Sequence, residues 1–421
     1  MRVNWASSSP GQWGPKMTNK PPLPLRKDMQ DIPGALSVQV NQIVYDLRRA
    51  GEDVCALSLG EAFFDIPLFD FNKLDITKGY HYSDTQGLPE IREKIAGYYE
   101  RMYRAPVDGE TEVLVSAGSK PIIYMVLLAI IEPGDEVLIH EPCWVSYPEH
   151  TRLVRGEPKV IPFNVPAEKF DDYITPKTRI VIINNPNNPA GKIYSEGELK
   201  MIYDACRSRG VYLMVDEAYS DFVLEEPFTS IGTVVPDKDG IIIVNSLSKN
   251  LGMSGWRIGY VIAEPEFIKV MLKLNQHIIT CAPTILLQYC ARYFDDILDV
   301  TLPQVREVVE KRHRIAAMMD ELGLKRMTGG TTFYFFVDIG RFPGTSMEFS
   351  LELLLEKFIA VVPGSAYGES TDRFIRVSIG TESEERIWSA LQSIKELADS
   401  DTFDRQRLQR RIDKFDVDLA I

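Results

Sequence analysis

Two hydrophobic patterns alternate along the chain. Between Gly34 and Gly51 the apolar residues Val38, Val40, Ile43, Val44 and Leu47 predict an amphipathic helix, and Gly51 stands where a helix C-cap is expected. Pro89 to Arg101 predicts another, with Ile91, Ile95 and Tyr98 at helical spacing and a proline in the opening turn. The runs EVLVSAG, DEVLIHE, RIVIINN, VYLMVDE, GIIIVNS and GYVIAEP are of a different kind, because they carry almost no polar alternation. Near-continuous Val, Ile and Leu predict strands covered on both faces. Their alternation with helical segments predicts an α/β fold with a mainly parallel, doubly wound sheet. A shorter run, VCALSLG, precedes them. A long helical stretch over 284–322 follows, then FYFFVDI and FIRVSIG mixed with helices over 324–400, which predicts a smaller α+β domain. Phe403, Leu408, Ile412 and Phe415, set among charges, predict a helix docked on the body.

Composition narrows the possibilities. A chain of 421 residues with 45% hydrophobic and 25% charged residues is a folded globular protein of two or three domains. Its net charge of −13 repels phosphodiester backbones and speaks against nucleic-acid binding. The five cysteines, an odd number without a CxxC pair, suggest reduced thiols in the cytosol rather than a disulfide framework or a zinc site. No apolar run reaches the ~18 residues of a membrane span. The first 27 residues hold five basic residues, no acids and five prolines, which predicts a flexible arm.

Doubly wound sheets bind ligands beyond the carboxyl ends of their strands. Those ends carry distinct polar residues. AGSK (Ala117 to Lys120) offers backbone N–H groups at a helix start with a glycine for close approach, the makings of an anion site. DEVLIHEPCW ends near Trp144, and RIVIINNPNNPAG ends in two asparagine pairs. VYLMVDEAY places Asp216 directly after buried-looking residues, with Tyr219 three positions on. A carboxylate there costs several kcal/mol unless a cation meets it, whether Arg257, Lys249 or a protonated heterocycle. NSLSKNLGMSGWRIG then supplies Ser246, Ser248, Lys249 and Arg257. A lysine near a carboxylate, an asparagine, a tyrosine, a tryptophan and an anion pocket fits Schiff-base chemistry with pyridoxal 5′-phosphate.

With GE at 60–61, YSDTQG, AGSK, EPGDEVLIHEP, NNPNNPAG, VDEAY, SLSKNLGMSGWRIG and FIRVS in this order, the chain resembles the class I/II aminotransferases of fold type I, the aspartate aminotransferase-like family. The resemblance covers about Ser37 to Leu397. It implies a seven-stranded sheet in a large cofactor-binding domain (66–300), and a small domain built from 34–65 and 301–400. An N-terminal arm (1–33) and a C-terminal helical tail (401–421) would flank these. It also implies a ping-pong exchange of an amino group between an L-amino acid and a 2-oxo acid. Lys249 would form the Schiff base, Asp216 would pair the ring nitrogen, and Asn188 and Tyr219 would hydrogen-bond the ring oxygen. Trp144 would stack on the ring. The phosphate would sit on Gly118 and Ser119 with Ser246 and Arg257, and Lys120 and Ser248 lie in the same motifs. Tyr82 would reach the phosphate across a homodimer interface. Arg376 would clamp the substrate α-carboxylate near the Gly60 backbone. No metal is implied. Lyases and cyclising synthases share this scaffold and lysine, so elimination stands as the alternative chemistry. GEAFF, where the family commonly reads GEPDF, and TGGTTFY (328–334) depart from the family pattern at the substrate side. Lys120 matches a lysine that one branch of the family points at a distal carboxylate.

Overall fold

The computed structural model describes residues 23–30, 32–224 and 228–412. Most of the expected arm, and Phe415, lie outside these residues; the described part of 1–33 contains one helical turn, Lys27–Gln30.

From Gly34 onward the chain forms one compact unit containing three sheets. Its strands are β1 (Cys55–Ala56), β2 (Val113–Ser116), β3 (Glu136–His140), β4 (Glu157–Ile161), β5 (Thr178–Asn184), β6 (Tyr212–Asp216), β7 (Ile241–Ser246) and β8 (Gly259–Ala263), then β9 (Tyr334–Asp338), β10 (Ile359–Ala360), β11 (Val362–Pro363) and β12 (Phe374–Ser378). Seven make the large sheet, in the order β2-β8-β7-β6-β5-β3-β4. Six of them point the same way, and β8 alone is reversed, antiparallel to both β7 and β2. The apolar runs have a simple cause. Leu138, Val181, Leu213 and Ile243 face one core, while Ile139, Ile182, Met214 and Ile242 face another on the opposite side of the sheet. Both faces are dry, so neither tolerates a polar residue.

Two strands depart from the sequence expectation. β4 had no apolar run to announce it: it is the edge strand, and its side chains are mostly solvent-facing. VCALSLG yields only the two-residue β1, which pairs with β10 outside the large sheet.

The helix Leu36–Arg49 buries Val40, Ile43, Val44 and Leu47 as its spacing predicts, but Val38 points outward at 61% exposure. The second predicted helix runs Pro89–Tyr103. β11, β12 and β9 form a separate antiparallel sheet over a third core. One long helical segment, Thr284–Glu321, kinked at Tyr293, serves two cores. Leu287, Cys290, Phe294 and Ile297 pack under the large sheet; after Pro303, Val305, Val309, Ile315 and Met319 pack with Phe333, Phe335 and Val337 under the small one. The helix Arg405–Ile412 docks as expected, with Leu408 and Ile412 against Leu351 and Leu355 of the helix Ser346–Lys357. Arg405, Arg407 and Arg411 pair with Glu348, Glu352 and Glu356 along that helix.

Candidate active site

Lys249 lies three residues beyond the end of β7. Its Nζ donates to the Gly60 carbonyl at 2.6 Å. Burial lowers its pKa from the usual 10.5 to about 8; Glu61 and Asp216 oppose the shift, and Arg376 and Arg257 reinforce it. An amine that gives up its proton this readily is a nucleophile near neutral pH.

Asp216 closes β6, next to Asn184 of β5 in register. Its Oδ2 accepts from the Tyr147 hydroxyl at 2.6 Å and its Oδ1 from the Ala218 N–H at 3.1 Å. Burial nevertheless raises its pKa, and among the described residues it makes no ion pair; the Arg257 and Lys249 partners that the sequence allowed are not within pairing distance. Asn184 fixes the next loop, its Nδ2 donating to the Asp216 carbonyl and its Oδ1 accepting from the Asn188 N–H. Asn188 Nδ2 in turn donates to the Tyr219 hydroxyl at 3.3 Å, and that hydroxyl meets Tyr334 Oη at 2.9 Å.

Arg376 enters from β12 of the small sheet. Its guanidinium is buried, with Nη2 donating to the Ser58 carbonyl at 2.6 Å and Nη1 reaching Asn188 Oδ1 at 3.4 Å. It stands 4.6 Å from the centre of the Tyr334 ring. Its Nε has no partner, and it forms no ion pair among the described residues. A Cβ on Gly60 would sit 3.9 Å from the Arg376 guanidinium, so Lys249 and Arg376 converge on one glycine.

The third group gathers at the end of β7, β8 and β2, where Ser246, Gly259 and Ser116 are aligned in register. Ser119 begins the helix Ser119–Ile130, whose first N–H groups have no partner within the helix. The Gly118 N–H itself donates to the Ser116 carbonyl, so the free donors start one residue later than expected. Gly118 has φ +93°, and a Cβ there would come within 2.6 Å of Arg257. Ser246 is buried and its hydroxyl accepts from the Ser248 N–H. Lys120 Nζ lies 5.1 Å from the Trp144 ring centre, and Trp144 packs edge-on to Tyr147, the residue holding Asp216. Tyr82 is 84% exposed. Tyr147 and Tyr334 are the residues that sequence reasoning missed; each depends on how two elements pack, and no strand-end motif marks them.

A sequence profile of the family described as aminotransferase class I and II matches residues 68–394. The chain belongs to that family. Among relatives of this aminotransferase is a probable aspartate/prephenate aminotransferase of Aquifex aeolicus, 34% identical over 83% of this chain and 92% of that one. An aromatic-amino-acid aminotransferase of Thermococcus litoralis is 30% identical over 80% and 90%. The solved aspartate aminotransferase of Thermus thermophilus with maleate superposes with a TM-score of 0.81 at 29% identity, covering 89% of this chain and all of that one. The chain is therefore a transaminase that depends on pyridoxal phosphate. Its residues fit that group: Asp216 is a buried carboxylate lacking the cation that a protonated ring nitrogen would supply, Lys249 is a readily neutralised amine, and the Gly118 cradle is one that a Cβ would fill.

Among the described residues no helix is long and apolar enough to cross a membrane, and no cluster of His, Cys, Asp or Glu could hold a metal ion.

Proposed function

We propose that this aminotransferase takes nitrogen from an acidic or aromatic L-amino acid and passes it, in a second half-reaction, to a 2-oxo acid. When bound, pyridoxal phosphate supplies an aldehyde that condenses with amines and a protonated ring that accepts the electron pair left behind at Cα. With the cofactor in place Lys249 would hold it covalently, and as a neutral amine it would move the proton to and from the substrate Cα. Asp216, braced by Tyr147, keeps the ring nitrogen protonated. Asn188 and Tyr219 hydrogen-bond the ring oxygen, and Trp144 flanks the ring. Ser119, Ser246 and Arg257 bind the phosphate, with Ser248 and Lys120 beside them and Gly118 leaving room.

Arg376 carries the reading: a buried guanidinium without a carboxylate, next to the glycine that holds Lys249, calls for a small carboxylate in the pocket. Lys120, between Trp144 and Arg257, is a second cation for a distal carboxylate and supports an acidic donor. The relatives named for aspartate and for aromatic amino acids support the same pair of donor classes. A homodimer completes the site. Phe63, Leu68, Tyr80 and Tyr82 are each at least 67% exposed, an apolar surface that a second copy would cover while bringing Tyr82 to the partner's phosphate. The separate cores under the two sheets support a cofactor-binding domain of 66–300 and a small domain of 34–65 with 301–400. Five unpaired thiols support a reducing, cytosolic compartment.

Holoenzyme mixed with L-aspartate or L-phenylalanine, without an acceptor, should release one equivalent of 2-oxo acid per chain and stop. Continued release accompanied by ammonia would instead mean elimination chemistry.

A further inference from the structure

A second cleft opens at the same carboxyl edge of the large sheet, toward its outer strands. It has a volume of about 500 Å³ and lies beyond the ends of β3, β4 and β5, roofed by residues 325–328 and by β9 and β12. None of Lys249, Asp216, Asn188, Tyr219 or Arg376 lines it. Aromatic rings form one part of its walls. Phe163 and Phe374 meet edge-on across it at 6.0 Å between ring centres, and Tyr194 and Met327 add apolar surface.

Its polar groups are biased toward an anion. Glu141 is already occupied by the Glu369 and Ser370 N–H groups and the Ser370 hydroxyl, and Asp338 by the Gly340 N–H. His140, bonded to the Tyr194 hydroxyl, is held neutral by burial, its pKa lowered to about 4. The cations are more available. Lys325 is exposed and forms no ion pair among the described residues, and Lys192 sits at the rim in a pair with Glu198 that water already weakens, whereas Arg326 is held by Asp320 through two hydrogen bonds. A chain of net charge −13 thus presents three cations around one aromatic cleft.

We propose that this cleft is a second ligand site, for a small aromatic molecule bearing one carboxylate. It shares two walls with the active site. Asn187, whose amide bonds the Pro142 carbonyl and the Ala190 N–H, lines the cleft and immediately precedes Asn188. Phe374 lines it two residues before Arg376 on the same face of β12, about 7 Å along the strand. An occupant therefore bears on the loop that holds Asn188 and on the strand that holds Arg376.

Titrating the holoenzyme with 2-naphthoate tests the proposal. Saturable binding of one molecule per chain is expected, unchanged in Arg376→Ala and weakened about tenfold or more in Thr328→Trp, which fills the cleft from an exposed rim position. Lys325→Glu, or replacing the probe by 2-naphthamide, should weaken binding in the same direction. Loss of binding in Arg376→Ala would put the probe in the substrate pocket and overturn the proposal, as would the absence of saturable binding. Equal binding of 2-naphthamide would overturn the choice of an anion. The proposal stands apart from the assigned reaction, because a failure of Arg376 to bind substrate would leave these results unaffected.

Discussion

At Lys249 the protein keeps an amine where its charge is disfavoured, and this has a measurable pH signature in the apoenzyme. The folded state releases the proton near pH 8, whereas the unfolded chain holds it to 10.5. Below about pH 8 both states are charged and the folded one carries the full burial cost. Between these values the unfolded state binds more protons, so stability rises with pH and then levels off. Denaturant unfolding of the apoenzyme should therefore show the stability advantage of Lys249→Met shrinking across this window; a constant difference would sink the assignment. Tyr147 offers a second test. Its hydroxyl is one of two donors to the Asp216 carboxylate, so Tyr147→Phe should push that carboxyl further up and weaken its hold on a ring cation. A loss of about 1–3 kcal/mol in cofactor affinity is expected, measured by equilibrium titration of the apoenzyme, and unchanged affinity would remove Tyr147 from this role. Lys249, Asp216, Asn188, Ser246 and Arg376 were legible because strand ends and motif order mark them. Tyr147 was not, because only the placement of the helix Ser146–Leu153 beside β3 and β4 brings its hydroxyl to Asp216.

Among the elements, the junction of β8 with the helix Ser119–Ile130 leaves no room for a side chain. A Cβ on Gly259 would come within 2.5 Å of the Gly118 carbonyl carbon, a backbone atom that cannot step aside. Gly259→Ala should displace the helix start and cost about 1–3 kcal/mol in stability together with a clear loss of phosphate affinity. Gly97, inside a helix with nothing near its missing Cβ, is the control: Gly97→Ala should stabilise by about 1 kcal/mol and leave cofactor binding alone. Thermal unfolding with and without pyridoxal phosphate reads both. The elements were legible in proportion to burial. β3, β5, β6 and β7 declared themselves through runs enclosed on both sides, whereas β4 stayed hidden because an exposed edge strand needs no such run. The direction of β8 was also unreadable, since a doubly covered strand has the same apolar composition whether it runs parallel or antiparallel.

At the scale of the whole molecule, the α/β class, the mainly parallel sheet and the smaller α+β portion were all recoverable from periodicity, while the way the portions meet was not. Lys249 and Arg376 come from different sheets and meet only because both sheets pack on neighbouring parts of one chain. The helical segment Thr284–Glu321, kinked at Tyr293, is the shared piece. Its side chains pass from one core to the next around Pro303, so neither core can melt and leave its neighbour with a complete set of contacts. Cooperativity then belongs to the pair: calorimetry of the apoenzyme should give a single endotherm whose calorimetric and van't Hoff enthalpies agree, and two resolved peaks would count against it. A candidate site assembled from two sheets is in this way tied to a single melting event, and partial unfolding offers no route to a half-built one.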